Sequence, residues 1–201
     1  MALARQDVPR LFKAAVDDYL KSRKPKYRRG RFTISEKEIQ KQFAIKLLDK
    51  NLPFRRERHY ANPEHGKTDF QLYDDGLATY IEIEWEAKYT DGFAKRTFDD
   101  LKKLDHIPIR EWGMFLAVNV GNKYKASSRE ASCIDASRFA LSPKGKRTYL
   151  LKRWDESAPT SLLKCNSRFW RWPIQINGER FMVTILSCYG RRIGNRTWAS
   201  A

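Results

Sequence analysis

Between Thr68 and Ala87 two alternating runs, TDFQLY and LATYIEIEWEA, flank Asp74-Asp75-Gly76. Two segments of period two joined at an Asp-Gly turn predict a β-hairpin. Alternate side chains of a strand share a face. Ile81, Ile83, Trp85 and Ala87 therefore point toward a core, and Glu82, Glu84, Glu86 and Lys88 line the other side. In the preceding strand Thr68, Phe70 and Leu72 take the core side, which leaves Asp69 with Gln71 and Tyr73 on the carboxylate side. A two-residue turn at Asp75-Gly76 pairs Asp74 with Leu77 and sets Asp69 opposite Glu82, with Glu84 one diagonal step away. A six-residue loop would set Asp69 opposite Glu84 instead. Directly opposite Cβ atoms lie about 4.5–5.5 Å apart and diagonal ones about 7–8 Å. Either register clusters three carboxylates, enough oxygen to hold a hard divalent cation such as Mg²⁺. The plain alternative is a solvated face, since glutamate is a weak strand former and like charges repel.

Elements of both periods surround the hairpin. Val8 to Leu20 carries Leu11, Phe12, Ala15, Val16 and Tyr19 at helical spacing. Seven of the eleven residues from Lys21 to Arg31 are basic, and Pro25 and Gly30 argue against regular structure in that arm. A second helix is expected from Glu36 to Lys50, opened by a capping box of Ser35 and Glu38, with Ile39, Phe43, Leu47 and Leu48 as its apolar stripe. Leu52 to Tyr60 reads as a loose strand, Phe93 to Leu104 as a helix, and Trp112 to Val120 (WGMFLAVNV) as a buried strand. Further on, FWRWPIQI and ERFMVTIL form a second hairpin about Asn177-Gly178, in which Pro173 indicates an edge or bulged position.

Charge narrows the partner. The 201 residues hold 40 Lys and Arg against 24 Asp and Glu, a net charge of +16, and 41% are hydrophobic, which is ample for a core. From Lys123 to Ala201 there are 16 basic and 5 acidic side chains, so most of the excess lies in the last third. Such an excess favours a polyanionic partner, most often nucleic acid. No apolar run reaches the length of a membrane span, and the N-terminal segment lacks the apolar stretch of a signal peptide. Cys133, Cys165 and Cys188 are too few and too scattered for a disulfide framework or a zinc ribbon, so a reducing, cytoplasmic setting is the expectation. No phosphate-binding glycine loop occurs.

The order helix, hairpin, helix, strand over residues 35–120 resembles the core of the PD-(D/E)xK, or restriction-endonuclease-like, nuclease superfamily. TDFQLYDDGLATYIEIEWEAK looks like the family's catalytic hairpin, and EKEIQKQFAIKLL like its first helix, whose Glu often joins the site. The matching position is Glu38, with Glu36 in reserve. The resemblance implies an α+β fold with that core at 35–122; outside it the residues read as an N-terminal helix and basic arm at 1–34 and a basic β-rich extension packed on the core at 123–201. It implies an endonuclease that hydrolyses phosphodiesters, usually in DNA, with Mg²⁺ (or Mn²⁺) held by Asp69, Glu82 and Glu84. It also implies a homodimer, because many members pair to cut both strands. The literal triplet Glu86-Ala87-Lys88 would put Glu86 four ladder positions from Asp69 in the tight-turn register, roughly 13 Å along the strand. That register favours Glu82-x-Glu84, with Glu84 where the family usually has Lys, and leaves the role of Lys88 open.

Other groupings rank lower. Arg28, Arg29 and Arg31 in the arm, with Arg168, Trp170 and Arg171 in RFWRW, are candidate nucleic-acid contacts. For RFWRW a core strand with snorkelling arginines competes with that reading. His59, Asn62 and His65 lack the pairing that an HNH-type metal site needs. A glycosidase using two carboxylates of IEIEWE is disfavoured by the positive charge. Two readings stand: a Mg²⁺-dependent nuclease, and a non-catalytic nucleic-acid-binding protein with a degenerate nuclease-like core.

Overall fold

A computed structural model describes residues 5–22, 26–28, 31–33, 35–60, 63–74, 76–86, 99–121, 162, 165–166, 168–176, 179–195 and 197–200. Helix α1 spans Val8–Ser22 and buries Val8, Phe12, Ala15, Val16, Tyr19 and Leu20, the face its spacing predicts. The basic arm is not irregular. Strands β1 (Lys26–Arg28) and β2 (Arg31–Thr33) pair antiparallel with Arg28 opposite Arg31, so the segment containing Gly30 joins two strands instead of preventing them. Helix α2 spans Glu36–Asp49. Ser35 is its N-cap, but through the backbone: its carbonyl accepts from the amides of Glu38 and Ile39, and no side-chain cap forms. Ile39, Phe43 and Leu47 are buried, whereas Leu48, turned about 100° from Leu47, is 62% exposed.

A seven-stranded mixed sheet carries the rest. Its strands are β3 (Phe54–His59), β4 (Lys67–Asp74), β5 (Leu77–Glu86), β6 (Trp112–Gly121), β7 (Arg168–Ile176), β8 (Glu179–Gly194) and β9 (Thr197–Ala199). The order is β3-β4-β5-β6-β8-β7, with β9 also on β8. Every pairing is antiparallel except β5 with β6, whose crossover includes a helical stretch at 99–104, α3. The start of the expected helix, residues 93–98, lies outside the described residues. Asp74 pairs with Leu77 across Gly76, which has φ 77°, so the tight-turn register is the one adopted. β7 is an edge strand, where Pro173 removes no needed donor.

Both faces of the sheet are covered. On one, α1 and α2 pack on Phe70, Leu72, Ile81, Ile83, Met114, Leu116 and Val118, with edge-on ring contacts from Phe12 to Phe43 (5.3 Å) and from Phe43 to Phe70 (5.1 Å). On the other, Tyr80, Phe115, Ala117, Leu186 and Cys188 meet Leu101 and Leu104 of α3, Ile107 and Trp198. Covering on two sides explains the unbroken apolar run of β6. Trp198 lies so close to β6 that a Cβ on Gly113 would stand 2.5 Å from its ring, and its indole N–H donates to Asp105 at 3.3 Å. The C-terminal strands extend this same sheet, since β8 pairs along the whole of β6. Cys165 and Cys188 are buried free thiols, and no described helix is long and apolar enough to cross a membrane.

Candidate active site where two strands part

The β4–β5 ladder runs from Asp74 opposite Leu77 to Phe70 opposite Ile81 and stops there, although both strands continue. Side chains bridge the gap. Asp69 Oδ2 accepts from the Ile83 amide at 2.7 Å, and the Thr68 hydroxyl faces the carbonyls of Phe70 and Ile81, each at 2.9 Å. On the other side of β4, pairing passes from Arg56 with Phe70 to Arg58 with Thr68. Between them Glu57 stands at φ 50°, a left-handed backbone uncommon for a residue with a side chain. Asp69 therefore sits where the sheet loosens on both flanks.

Three elements bring side chains to this point. From α2, Gln40 donates to Asp69 Oδ1 (3.0 Å) and to Glu36 (2.9 Å), while accepting from Arg56 (2.8 Å). From β5, Glu82 and Glu84 lie at 1% and 4% exposure. The Tyr60 hydroxyl, just past β3, donates to Glu82 Oε1. From α3, Lys103 Nζ stands 2.5 Å from Asp100 and 3.6 Å from Glu82, and Asp100 is also hydrogen-bonded to Glu84. Four acids thus share a buried neighbourhood with one lysine beside them.

That crowding shows in the acidities. Burial, reinforced by Glu36 and Asp100, pushes the Asp69 carboxyl up to about 7 against the pull of the Ile83 amide. Burial, with Asp69 and Asp100, raises Glu82 well above the ordinary carboxylate range, although Lys103 and Tyr60 oppose it. Asp100 is raised by burial as well. Burial alone would lower Lys103, but Glu82 and Asp100 outweigh it and hold the ammonium firmly charged. Burial, then Glu82, raises Tyr60, so it remains a neutral donor. Acids held partly neutral give up protons when a cation replaces them. Asp69, Glu82 and Glu84 supply the hard oxygen donors Mg²⁺ takes, and Mg²⁺ needs only one or two protein carboxylates when water and phosphate complete its shell. Among the described residues no three His, Cys, Asp or Glu side chains converge as a ready-made cage.

Of the expected ligands, Asp69 acts electrostatically on Glu82, and Glu84 is hydrogen-bonded to Asp100. The α2 residues tied to Asp69 are Gln40 and Glu36. Glu38, two positions from each, projects from another side of the helix. Glu86 ends β5 with its side chain outside the described part, and Lys88 lies outside the described residues. Of the candidate nucleic-acid contacts, Arg28 and Arg31 lie in β1 and β2, Arg29 and the side chain of Arg171 are outside the described part, and Arg168 is half-buried. Trp170 and Trp172 pack against the α1 side of the core, with Lys13 over the Trp172 ring at 4.5 Å. That is the position of the core-strand reading of RFWRW. His59 is exposed at the end of β3, whereas His65 stacks on His106 with ring centroids 3.5 Å apart. Sequence reasoning missed Gln40, Tyr60, Asp100 and Lys103. The readable signal was spacing: Glu36 with Gln40, and Asp100 with Lys103, are one helical turn apart. No family model, curated protein or solved structure matches this chain.

Proposed function

We propose that the chain is a Mg²⁺-dependent nuclease with a restriction-endonuclease-like core, hydrolysing phosphodiester bonds, usually those of DNA. The observation that supports this reading is the parted hairpin, where Asp69 binds the amide of Ile83, the residue between the buried Glu82 and Glu84, and Lys103 stands 3.6 Å from Glu82. The order α2, β4–β5 hairpin, α3, β6 supports the choice of core.

Asp69, Glu82 and Glu84 would hold the cation, which when bound polarises the scissile phosphate and lowers the pKa of a water. The protein's own groups prepare that site. The Ile83 amide and Gln40 each bind one oxygen of Asp69 and fix the carboxylate, so a cation meets it already oriented. Tyr60 fixes Glu82 in the same way. Lys103 remains charged and half-exposed, able to stabilise negative charge developing on a phosphate. This is the role the resemblance would give to Lys88, here carried by a helix.

A non-catalytic nucleic-acid-binding protein is the competing reading, favoured by the lack of a converged cage among the described residues. Incubation with plasmid, linear and single-stranded DNA and RNA in Mg²⁺, Mn²⁺ or EDTA separates the two. Cleavage that requires metal and disappears in Asp69→Asn supports the nuclease. Binding without cleavage in either metal refutes it.

A further inference from the structure

Strand β3 lies at one end of the described sheet, next to the candidate site, and is rich in exposed charge. Among the described residues it pairs only with β4. Arg55, Arg56, Glu57, Arg58 and His59 are all exposed, as is Lys67 opposite His59 on β4. Glu57 is the strand's single acid. Among the described residues no ion pair takes up any of these arginines. Arg55 lies over the Tyr73 ring (5.3 Å) and Arg56 over Phe70 (5.3 Å), on opposite faces of the sheet. Stacking of this kind holds a guanidinium in place while leaving N–H groups outward.

We infer that β3 is a cationic ridge that receives a nucleic-acid backbone and leads it to Asp69. Three features argue for this occupant. Guanidinium groups match phosphate geometry through paired N–H donors. Arg55, Arg56 and Arg58 fall within four consecutive exposed residues, a local concentration of positive charge suited to the phosphates of a polyanion. Most directly, Arg56 donates to Gln40, which donates to Asp69, so a phosphate held on the ridge lies two hydrogen-bonded side chains from the carboxylates. The direction toward Asp69 rests on the nuclease reading, but the binding itself does not. The bland counterpart is that charges on an edge strand simply guard it against pairing with another chain.

Affinity for a fluorescein-labelled duplex DNA, measured by anisotropy in EDTA across a salt series, separates these roles without any cleavage. For the double variant Arg55→Gln/Arg58→Gln the expected result is an affinity loss of about tenfold at physiological salt. The slope of log K against log salt should flatten by about 0.9 for each lost contact. Arg55→Lys/Arg58→Lys should recover the slope. Wild-type affinity and slope in the glutamine variant, with or without new self-association, would overturn the proposal. Should the double variant misfold, Arg58→Gln alone decides it, because Arg58 is exposed and its side chain makes no hydrogen bond or ion pair among the described residues. Loss of binding here with metal-dependent cleavage absent in the wild type would sink the nuclease reading and leave the ridge standing.

Discussion

The two faces of β5 are buried to the same degree and could hardly differ more in chemistry. Ile81 and Ile83 are 0% and 1% exposed on the side of α1 and α2, and Glu82 and Glu84 are 1% and 4% exposed on the side of α3. Each isoleucine contributes about 1.5–3 kcal/mol by leaving water. A carboxyl in the same situation opposes folding unless it is protonated or paired, which is why Glu82 and Asp69 are held above their ordinary range. One strand therefore stabilises the fold with one face and strains it with the other. The strained face has a use only if something arrives to relieve it.

The comparison breaks or sharpens under four changes. The largest effect is on activity. Asp69→Asn, Glu82→Gln and Glu84→Gln should each lower cleavage by at least about a hundredfold, more than the loss of a supporting group does. Glu82→Gln should melt within about 1 kcal/mol of the wild type, since it keeps the shape and the acceptor for Tyr60. Asp69→Asn should instead cost about 1–3 kcal/mol, because both Asp69 oxygens accept and an amide nitrogen cannot. If Glu82→Gln destabilises the chain as much as removing an isoleucine does, the carboxylate face is structural and the contrast fails. Next, Ile83→Ala should cost about 2–5 kcal/mol in a denaturant titration while leaving the chemistry of the remaining folded protein intact. Lys103→Met should be milder, about 1–2 kcal/mol, between the limits for surface and buried pairs, because Glu82 and Asp100 can take up protons instead. Its cleavage should nevertheless fall steeply.

The smallest effect concerns pH. Asp69 titrates near 7 in the fold and near about 3.9 in the unfolded chain, so between those values the folded state holds the extra proton. Stability from this group is therefore complete below about pH 4 and is lost as pH rises through 7. In EDTA the melting temperature should fall from pH 5 to pH 8, and Asp69→Asn should flatten that decline. Added Mg²⁺ should raise the melting temperature more at pH 8 than at pH 5, where protons compete with it. A melting temperature that rises over this range in EDTA would contradict the assignment.

Much of this arrangement was legible because it is local. The Asp-Gly turn dictated the pairing of Asp74 with Leu77, and the period of two then ran as far as Phe70 opposite Ile81, beyond which Asp69 turns to the Ile83 amide and Gln40. What could not be read was how deeply that face is buried. Alternating Ile and Glu look half-solvated in a hairpin considered alone. Helix α3, in the crossover from β5 to β6, delivers Asp100 and Lys103 to the glutamates, and Tyr60 binds Glu82 from beyond β3. The resemblance points to Glu38, with Glu36 in reserve, whereas the α2 side chain hydrogen-bonded to Asp69 is Gln40, one helical turn from Glu36. Leu48 falls outside the buried stripe because one residue turns the helix about 100° from Leu47. In the basic arm, Pro25 and Gly30 argue against regular structure, yet strands form at 26–28 and 31–33.

The pairing of β8 along β6 bears on how the chain is made. Gly121 meets Met182 across about sixty intervening residues, and Trp112 meets Arg191 across still more. Joining strands so far apart in sequence slows folding, because the entropy of closing the long segment is spent before the pairing rewards it. During synthesis β6 emerges with β5 available on one flank and nothing yet on the other, so WGMFLAVNVG is for a time a long apolar edge that a neighbouring nascent chain could extend. Yield from cells should then depend on how quickly the C-terminal strands arrive. Fragments ending before residue 179 should collect in the insoluble fraction even though they contain every residue of the carboxylate site.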